Sequence, residues 1–228
     1  MAVPLLALYL PLQFVVPLIL VTDVCASVVM SGGTHRHARW EEVWILLAAS
    51  AVGIVLGAGL LVSLPTPPLL TGLGLLILVF GAHGVLRVPS IHPIARTWAL
   101  PAGFMGGAIG ALFGTGGPPF VMYLSRRLQD TSQLRATFSI LFLIDGTLRI
   151  VVFIIAGLLL QDGMLLSVLA ALPLMALGLY AGHRVHVGLS QQHMQRLIGG
   201  LLVISGVALL WKAWGVMQQH TPRALIYC

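Results

Sequence analysis

The chain has 228 residues, of which 58% are hydrophobic and 8% charged, with a formal net charge of +6. Soluble domains carry roughly a quarter charged residues, so this composition, with a mean hydropathy of +1.01, excludes a water-facing globular fold. The excess of basic residues lies between apolar blocks instead of in one patch, which argues against nucleic acid as a partner.

The blocks predict helices. Val43–Leu64, Leu69–Leu86, Ala136–Leu160, Met164–Tyr180 and Leu197–Trp214 approach or exceed the ~20 residues that cross a bilayer as helix. They do not alternate as β-barrel strands do. The expected architecture is an all-α polytopic membrane protein.

In chain order, Met1–Leu10 is an apolar stub closed by Pro11, without the early Lys or Arg of a signal peptide. Leu12–Met30 is the first full crossing. The charged stretch His35–Glu42 precedes a crossing over Glu42–Leu64. Pro65-Thr66-Pro67-Pro68 makes a tight turn, since proline ends one helix and suits the first turn of the next. Leu69–Leu86 crosses again, followed by the loop Arg87–Arg96. Trp98–Phe113 is rich in Gly and Ala and ends in Gly114-Thr115-Gly116-Gly117-Pro118-Pro119, after which Phe120–Leu124 leads to Arg126 and Arg127. Leu134–Leu160, Met164–His183 and Arg196–Met217 complete the expected crossings.

The chain repeats itself. Gly53, Gly57, Gly74 and Gly81 recur as Gly178, Gly182, Gly199 and Gly206, each displaced by 125 positions (178 minus 53). Asp23 parallels Asp145, and Pro4–Tyr9 parallels Pro118–Tyr123. Duplication of this kind is typical of secondary transporters. Two tandem repeats are expected, 1–97 and 98–217, followed by a tail at 218–228.

The arginines set the topology. Arg36 and Arg39, Arg87 and Arg96, Arg126, Arg127 and Arg135, and Arg184 and Arg196 form four segments, while Pro65–Pro68 and Gln161–Gly163 carry no Lys or Arg. If Gly103–Leu124 is a broken, re-entrant helix, all four segments share the cytoplasmic face. Three crossings then remain in each half, and the second repeat is inverted relative to the first.

Gly103–Pro119 carries the chemistry. Spacings such as Gly103/Gly107 and Gly106/Gly110 let helix backbones approach closely. The Gly114-Thr115-Gly116-Gly117-Pro118 break frees backbone amides, which at membrane depth survive only against protein or a water-filled cavity. A helix resuming after Pro118 presents a positive end that suits an anion; alternatively the stretch is a kinked packing contact. Asp145 and Arg149 lie four apart on one helix face, where a lone charge costs roughly 2.5–3.5 kcal/mol to insert. They either neutralise each other or serve a substrate, with Arg149 contacting an anion and Asp145 steering it or exchanging a proton. Asp23 has Ser27, not an arginine, at its i+4 position and is the second coupling candidate. Arg135 opens the Asp145 helix near the interface, where it either snorkels to headgroups or joins the site.

The remaining polar residues direct little. No histidine pair has metal-ligand context, and no nucleophile–base arrangement, zinc motif or dinucleotide motif is present. Neither enzymatic turnover nor a cofactor is expected. Trp40, Trp44, Trp98, Trp211 and Trp214 sit at helix ends as interfacial anchors. Cys25 and Cys228 imply no disulfide framework.

Gly-Thr-Gly-Gly-Pro-Pro-Phe-Val-Met-Tyr-Leu (114–124), followed by Asp130 and Leu-Arg-Ala-Thr (134–137), resembles the TauE/SafE family of sulfite-exporter-type membrane proteins. The resemblance covers nearly the whole chain. It implies transport of sulfite, sulfoacetate or other small organosulfur anions without a bound cofactor. Family members open with a hydrophobic segment and a glycine-rich turn equivalent to Gly103–Gly117, and Met1–Tyr9 lines up just after that point, so this first segment is expected to be missing. The functional expectation is a secondary exporter of small sulfur-containing anions in a bacterial-type inner membrane. Gly114, Thr115, Gly116, Gly117, Pro118, Arg135 and Arg149 would bind substrate, and Asp23 and Asp145 would couple protons. Its partners would be the anion, the lipid bilayer and, in a homo-oligomer, further copies of itself. A non-transporting membrane scaffold is the alternative.

Overall fold

A computed structural model describes residues 3, 6–7, 9–30, 38–86, 94–128, 130–184, 206–209 and 211. Among these, all regular structure is helical: α1 Leu12–Met30, α2 Trp40–Ser63, α3 Thr66–Leu86, a 3-10 turn Arg96–Trp98, α4 Ala99–Phe113, α5 Gly117–Arg127, α6 Thr131–Ile155 and α7 Met164–Arg184. Helices are the solution that satisfies every backbone N–H and C=O within one apolar segment. Stray hydroxyls are absorbed the same way: Thr22, Thr71 and Thr147 donate to carbonyls of the preceding turn at 2.8–2.9 Å.

Both α2 and α6 are long and apolar enough to cross a bilayer. Their outward faces are greasy, with Trp44, Val52, Val55 and Leu56 of α2 and Val151, Ile154 and Ile155 of α6 exposed. Leu165, Leu166, Leu169, Leu174 and Leu177 continue this along α7. Water does not tolerate such faces at this density; lipid does. The chain is a multi-pass membrane protein.

Packing divides the chain into two compact units: Met1–Val15, Ser63–Val88 and Val187–Cys228 form one, and Val16–Val62 with Pro89–His186 form the other. In the first, the stub ends where Pro11 opens α1, and Gln13 Nε2 reaches the Leu64 carbonyl at 3.5 Å. Gly206 sits against Gly74 and Leu78.

The second unit holds the residues singled out above. Its apolar core draws on Val43, Leu46 and Leu47 of α2, Ala99 of α4, Phe120, Tyr123 and Leu124 of α5, and Ile140 and Leu141 of α6. A seam of small residues joins α2 to α4. Added Cβ atoms at Gly53 and Gly57 would strike α4 backbone at Phe104 and Ala108, and one at Gly103 would meet the Leu46 carbonyl at 2.6 Å. The contact order, Leu46 with Gly103 and Gly57 with Ala108 and Ala111, makes the two helices parallel. Close backbone approach through small residues is how apolar helices gain contact energy where no hydrophobic effect separates them from lipid.

Helix ends differ in places from the sequence expectation. The crossing expected over Leu134–Leu160 starts earlier, because Asp130 caps α6 by accepting from the Ser132 N–H at 2.9 Å. It also stops earlier, at Ile155, followed by Gly157 at φ 72°, a left-handed conformation that suits glycine. The expected crossing Arg196–Met217 lies largely outside the described residues, as do the side chains of His35, His37, His92 and Trp214.

Candidate functional site

α4 and α5 form a hairpin. At about 1.5 Å per residue, 15 and 11 residues span about 22 and 16 Å, each short of a ~30 Å bilayer core. α4 ends where Gly114 takes φ 69° and donates its N–H to the Gly110 carbonyl at 2.9 Å. α5 then doubles back: Gly116 packs on the Gly106 carbonyl, and the Phe120 ring fills the space a Cβ on Gly106 would need. Both feet of the hairpin reach one carboxylate. Arg96, just before α4, lies 3.8 Å from Glu42 Oε1, and Arg127, at the end of α5, donates to the same oxygen at 3.2 Å. Entry and exit therefore stand at the same end of α2, the geometry a re-entrant segment requires.

That end is basic. Arg39 donates its backbone N–H to Thr137 Oγ1 at 3.0 Å and its Nε to Gln133 at 3.1 Å, so Arg39, Arg96 and Arg127 gather at one level. Glu42, 6% exposed, also accepts the Tyr123 hydroxyl at 2.5 Å. Arg96 adds a 3.4 Å bridge to Glu41.

The tip is different. Asp145 and Arg149, 0% and 2% exposed, face it from α6, about 12 and 18 Å beyond Thr137 along the helix. Arg149 pairs with Asp145 Oδ2, and Ser50 of α2, itself fully buried, donates to Asp145 Oδ1. The guanidinium fills the notch that the missing side chains leave. A Cβ on Gly110 would meet its Cζ at 2.5 Å, and one on Gly116 would meet Nη2 at 2.9 Å. Arg149 Nε is buried without a hydrogen-bond partner among the described residues, and so is Thr115 Oγ1. A buried cation edge left bare beside a broken helix is costly unless something anionic or aqueous completes it.

The sequence-predicted residues divide accordingly. Gly116 and Arg149 are in contact, with Asp145 bonded to Arg149 and Gly114 and Thr115 in the same turn. Gly117 has open space, its nearest neighbours being Phe138 and Phe142 at 3.9 Å from an added Cβ. The helix resumes at Gly117, two residues earlier than expected, with Pro118 and Pro119 inside its first turn. Those prolines remove two of the four free N–H donors a helix start offers, leaving Gly116 and Gly117. The positive end is thus poorer in donors than the sequence suggests. Arg135 is exposed and lies about 21 Å from Arg149 along α6. Asp23 is exposed on α1 within electrostatic reach of Arg149, and its neighbour Val24 packs on Gly146. Ser27 donates to the Asp23 backbone carbonyl at 2.7 Å, leaving the carboxylate to other partners.

Sequence reasoning missed Ser50 and Glu42. Ser50 lies four and seven residues before Ile54 and Gly57 on the buried face of α2, a polar group on a packing stripe. Glu42 was legible only as the end of a charged stretch.

The family model described as sulfite exporter TauE/SafE matches residues 1–209. Among curated proteins, the chain is similar to the probable inner membrane transporter protein TsaS of Comamonas testosteroni, 28% identical over 86% of this chain and 83% of that protein. It is also similar to the probable sulfite/organosulfonate exporter TauE of Cupriavidus necator, 24% identical over 89% of this chain and 80% of that one. No solved structure matches it.

Proposed function

The chain belongs to the sulfite exporter TauE/SafE family of membrane transporters, and on that footing we propose that it is a secondary exporter of small sulfur-containing anions, with Arg149 at the hairpin tip as the anion-binding group. The observation that carries this reading is the bare, buried Nε of Arg149, whose guanidinium sits against Gly110 and Gly116. Sulfite and sulfonates present oxygen arrays that a guanidinium fork matches, as it matches carboxylate and phosphate. The Gly116 and Gly117 N–H groups and the Thr115 hydroxyl would complete the shell, with Gly114 and Pro118 shaping the turn. The relatives' printed names, an inner membrane transporter and a sulfite/organosulfonate exporter, support the same substrate class and an inner-membrane location.

The pair supports a reading of proton coupling. An ionised Asp145 competes with an arriving anion for Arg149; a protonated one releases it. Anion and proton then reinforce each other's binding, by the reciprocity of linkage, so the two leave together and export runs down the anion's own outward gradient. Asp23, a second carboxylate within reach of Arg149, would take or pass the proton. Arg135, at the basic end, would gather anions at the mouth.

The feet of the hairpin support a cytoplasmic assignment for that end, by the positive-inside rule. The packing units support the repeat: displacing Ser63–Val88 by 125 positions gives 188–213, inside the Val187–Cys228 segment of the same unit. We read 1–97 and 98–217 as two repeats, the second inverted, in a carrier that works by alternating access.

The test is efflux from proteoliposomes loaded with sulfite, and in parallel with a sulfonate of fixed charge, under imposed pH gradients. Efflux that is faster from an acidic lumen and vanishes in R149A is expected. Efflux equal in the two proteins would remove Arg149 from the site.

A further inference from the structure

We propose that Ser50 is a positioning residue of the anion site, which keeps the Nε edge of Arg149 free by occupying half of Asp145. This rests on the reading of Arg149 as the anion-binding group. A carboxylate and a guanidinium left alone pair fork to fork, through two parallel N–H···O bonds that use both carboxylate oxygens. Here Asp145 Oδ1 is taken by the Ser50 hydroxyl, and Arg149 is held through Oδ2. The second N–H of the fork meets neither carboxylate oxygen, and Arg149 Nε is the atom without a partner.

Ser50 cannot drift from this place. It is fully buried on α2, and its hydroxyl lies where α4 has no side chain: a Cβ on Gly107 would come within 2.6 Å of Ser50 Oγ. One turn earlier, Gly103 seats on Leu46 and Ala49. The α2–α4 seam thus fixes the hydroxyl against Asp145, and Asp145 in turn fixes how much of Arg149 is offered. The residue touches no substrate, yet it sets substrate affinity.

Losing the hydroxyl frees Oδ1. Asp145 then takes the guanidinium fork to fork, and the anion must break a two-point pair in place of a one-point one. Sulfite binding to the purified 228-residue chain in lipid nanodiscs, measured by calorimetry, tests this. S50A is expected to weaken binding about 10-fold, the scale of one buried hydrogen bond to a charged group. In a D145N background, where no carboxylate competes for Arg149, adding S50A should change the dissociation constant by less than about twofold, as non-interacting sites do. A loss of similar size in both backgrounds would mean that Ser50 acts through packing, and would overturn the proposal. So would S50A binding sulfite as the wild type does while R149A does not, an outcome that leaves the Arg149 site standing. Unchanged binding in R149A would remove the site itself, and the role of Ser50 with it. Should S50A lose its fold, S50C, which keeps a weak donor, is expected to bind about 3-fold more weakly than wild type, and wild-type affinity would count against the idea.

Discussion

The two ends of the α4–α5 hairpin both bury an acid beside arginines, and they do opposite things with it. At the feet, Glu42 is ringed by three partners: the Tyr123 hydroxyl, Arg127 and Arg96, the two arginines reaching in from positions 38% and 45% exposed. At the tip, the two oxygens of Asp145 are engaged by Ser50 and Arg149, while Arg149 Nε is bare. An acid so ringed is a staple, holding the hairpin's entry and exit to the start of α2. A cation with a bare N–H, buried beside broken backbone, is the group we propose as the anion site. What each charge lacks, not the presence of charge, separates the two.

The comparison can be broken at either end. The largest effect is expected from R149K, which keeps the charge but not the planar fork: sulfite binding should fall by at least about 30-fold, the low end for disrupting a desolvated, hydrogen-bonded charge contact. G110A comes next. Its methyl would stand 2.5 Å from Arg149 Cζ, and the displaced guanidinium should cost about 10-fold or more in affinity. Wild-type affinity in G110A would mean that the notch does not seat the cation. E42A should act on stability instead: with the buried Tyr123 hydroxyl left without its acceptor, unfolding should become easier by about 1–3 kcal/mol, read as a lower melting temperature. Sulfite affinity of the E42A protein that remains folded should stay within about threefold, the margin for distant, non-additive coupling. A collapse of affinity there would merge staple and site. The smallest effect is reserved for G117A, whose new methyl meets nothing nearer than 3.9 Å and should leave affinity within about twofold.

Much of this was visible before any coordinates. Hydropathy and proline placed α1 at Leu12–Met30 and the break at Pro65, although α3 begins at Thr66 and takes Pro67 and Pro68, expected in the connection, into its first turn. The break at Gly114 was legible as well. The end of α6 was not: apolar residues continue to Leu160, and a hydropathy count does not register that Gly157 has turned the chain. In the site, Asp145 and Arg149 announce themselves by their cost in lipid and their four-residue spacing. Distance does not announce itself. Arg135 lies nearly on the same helix face as Arg149 yet about four turns away, and sequence sees the face more readily than the separation. Ser50 and Glu42 were unreadable because their meaning comes from partners 95 and 85 positions away, which only packing brings together.

The measurement that bears most directly on the account is sulfite binding to R149A and R127A side by side, each checked for a native-like melting transition. Both variants remove one arginine from the same hairpin, one from the tip and one from a foot. The account predicts that R149A binds no measurable sulfite while R127A binds within about threefold of wild type, because an exposed arginine at a saturated acid contributes little. Binding lost in R127A and kept in R149A would contradict it, and would move the anion site to the basic end of the hairpin.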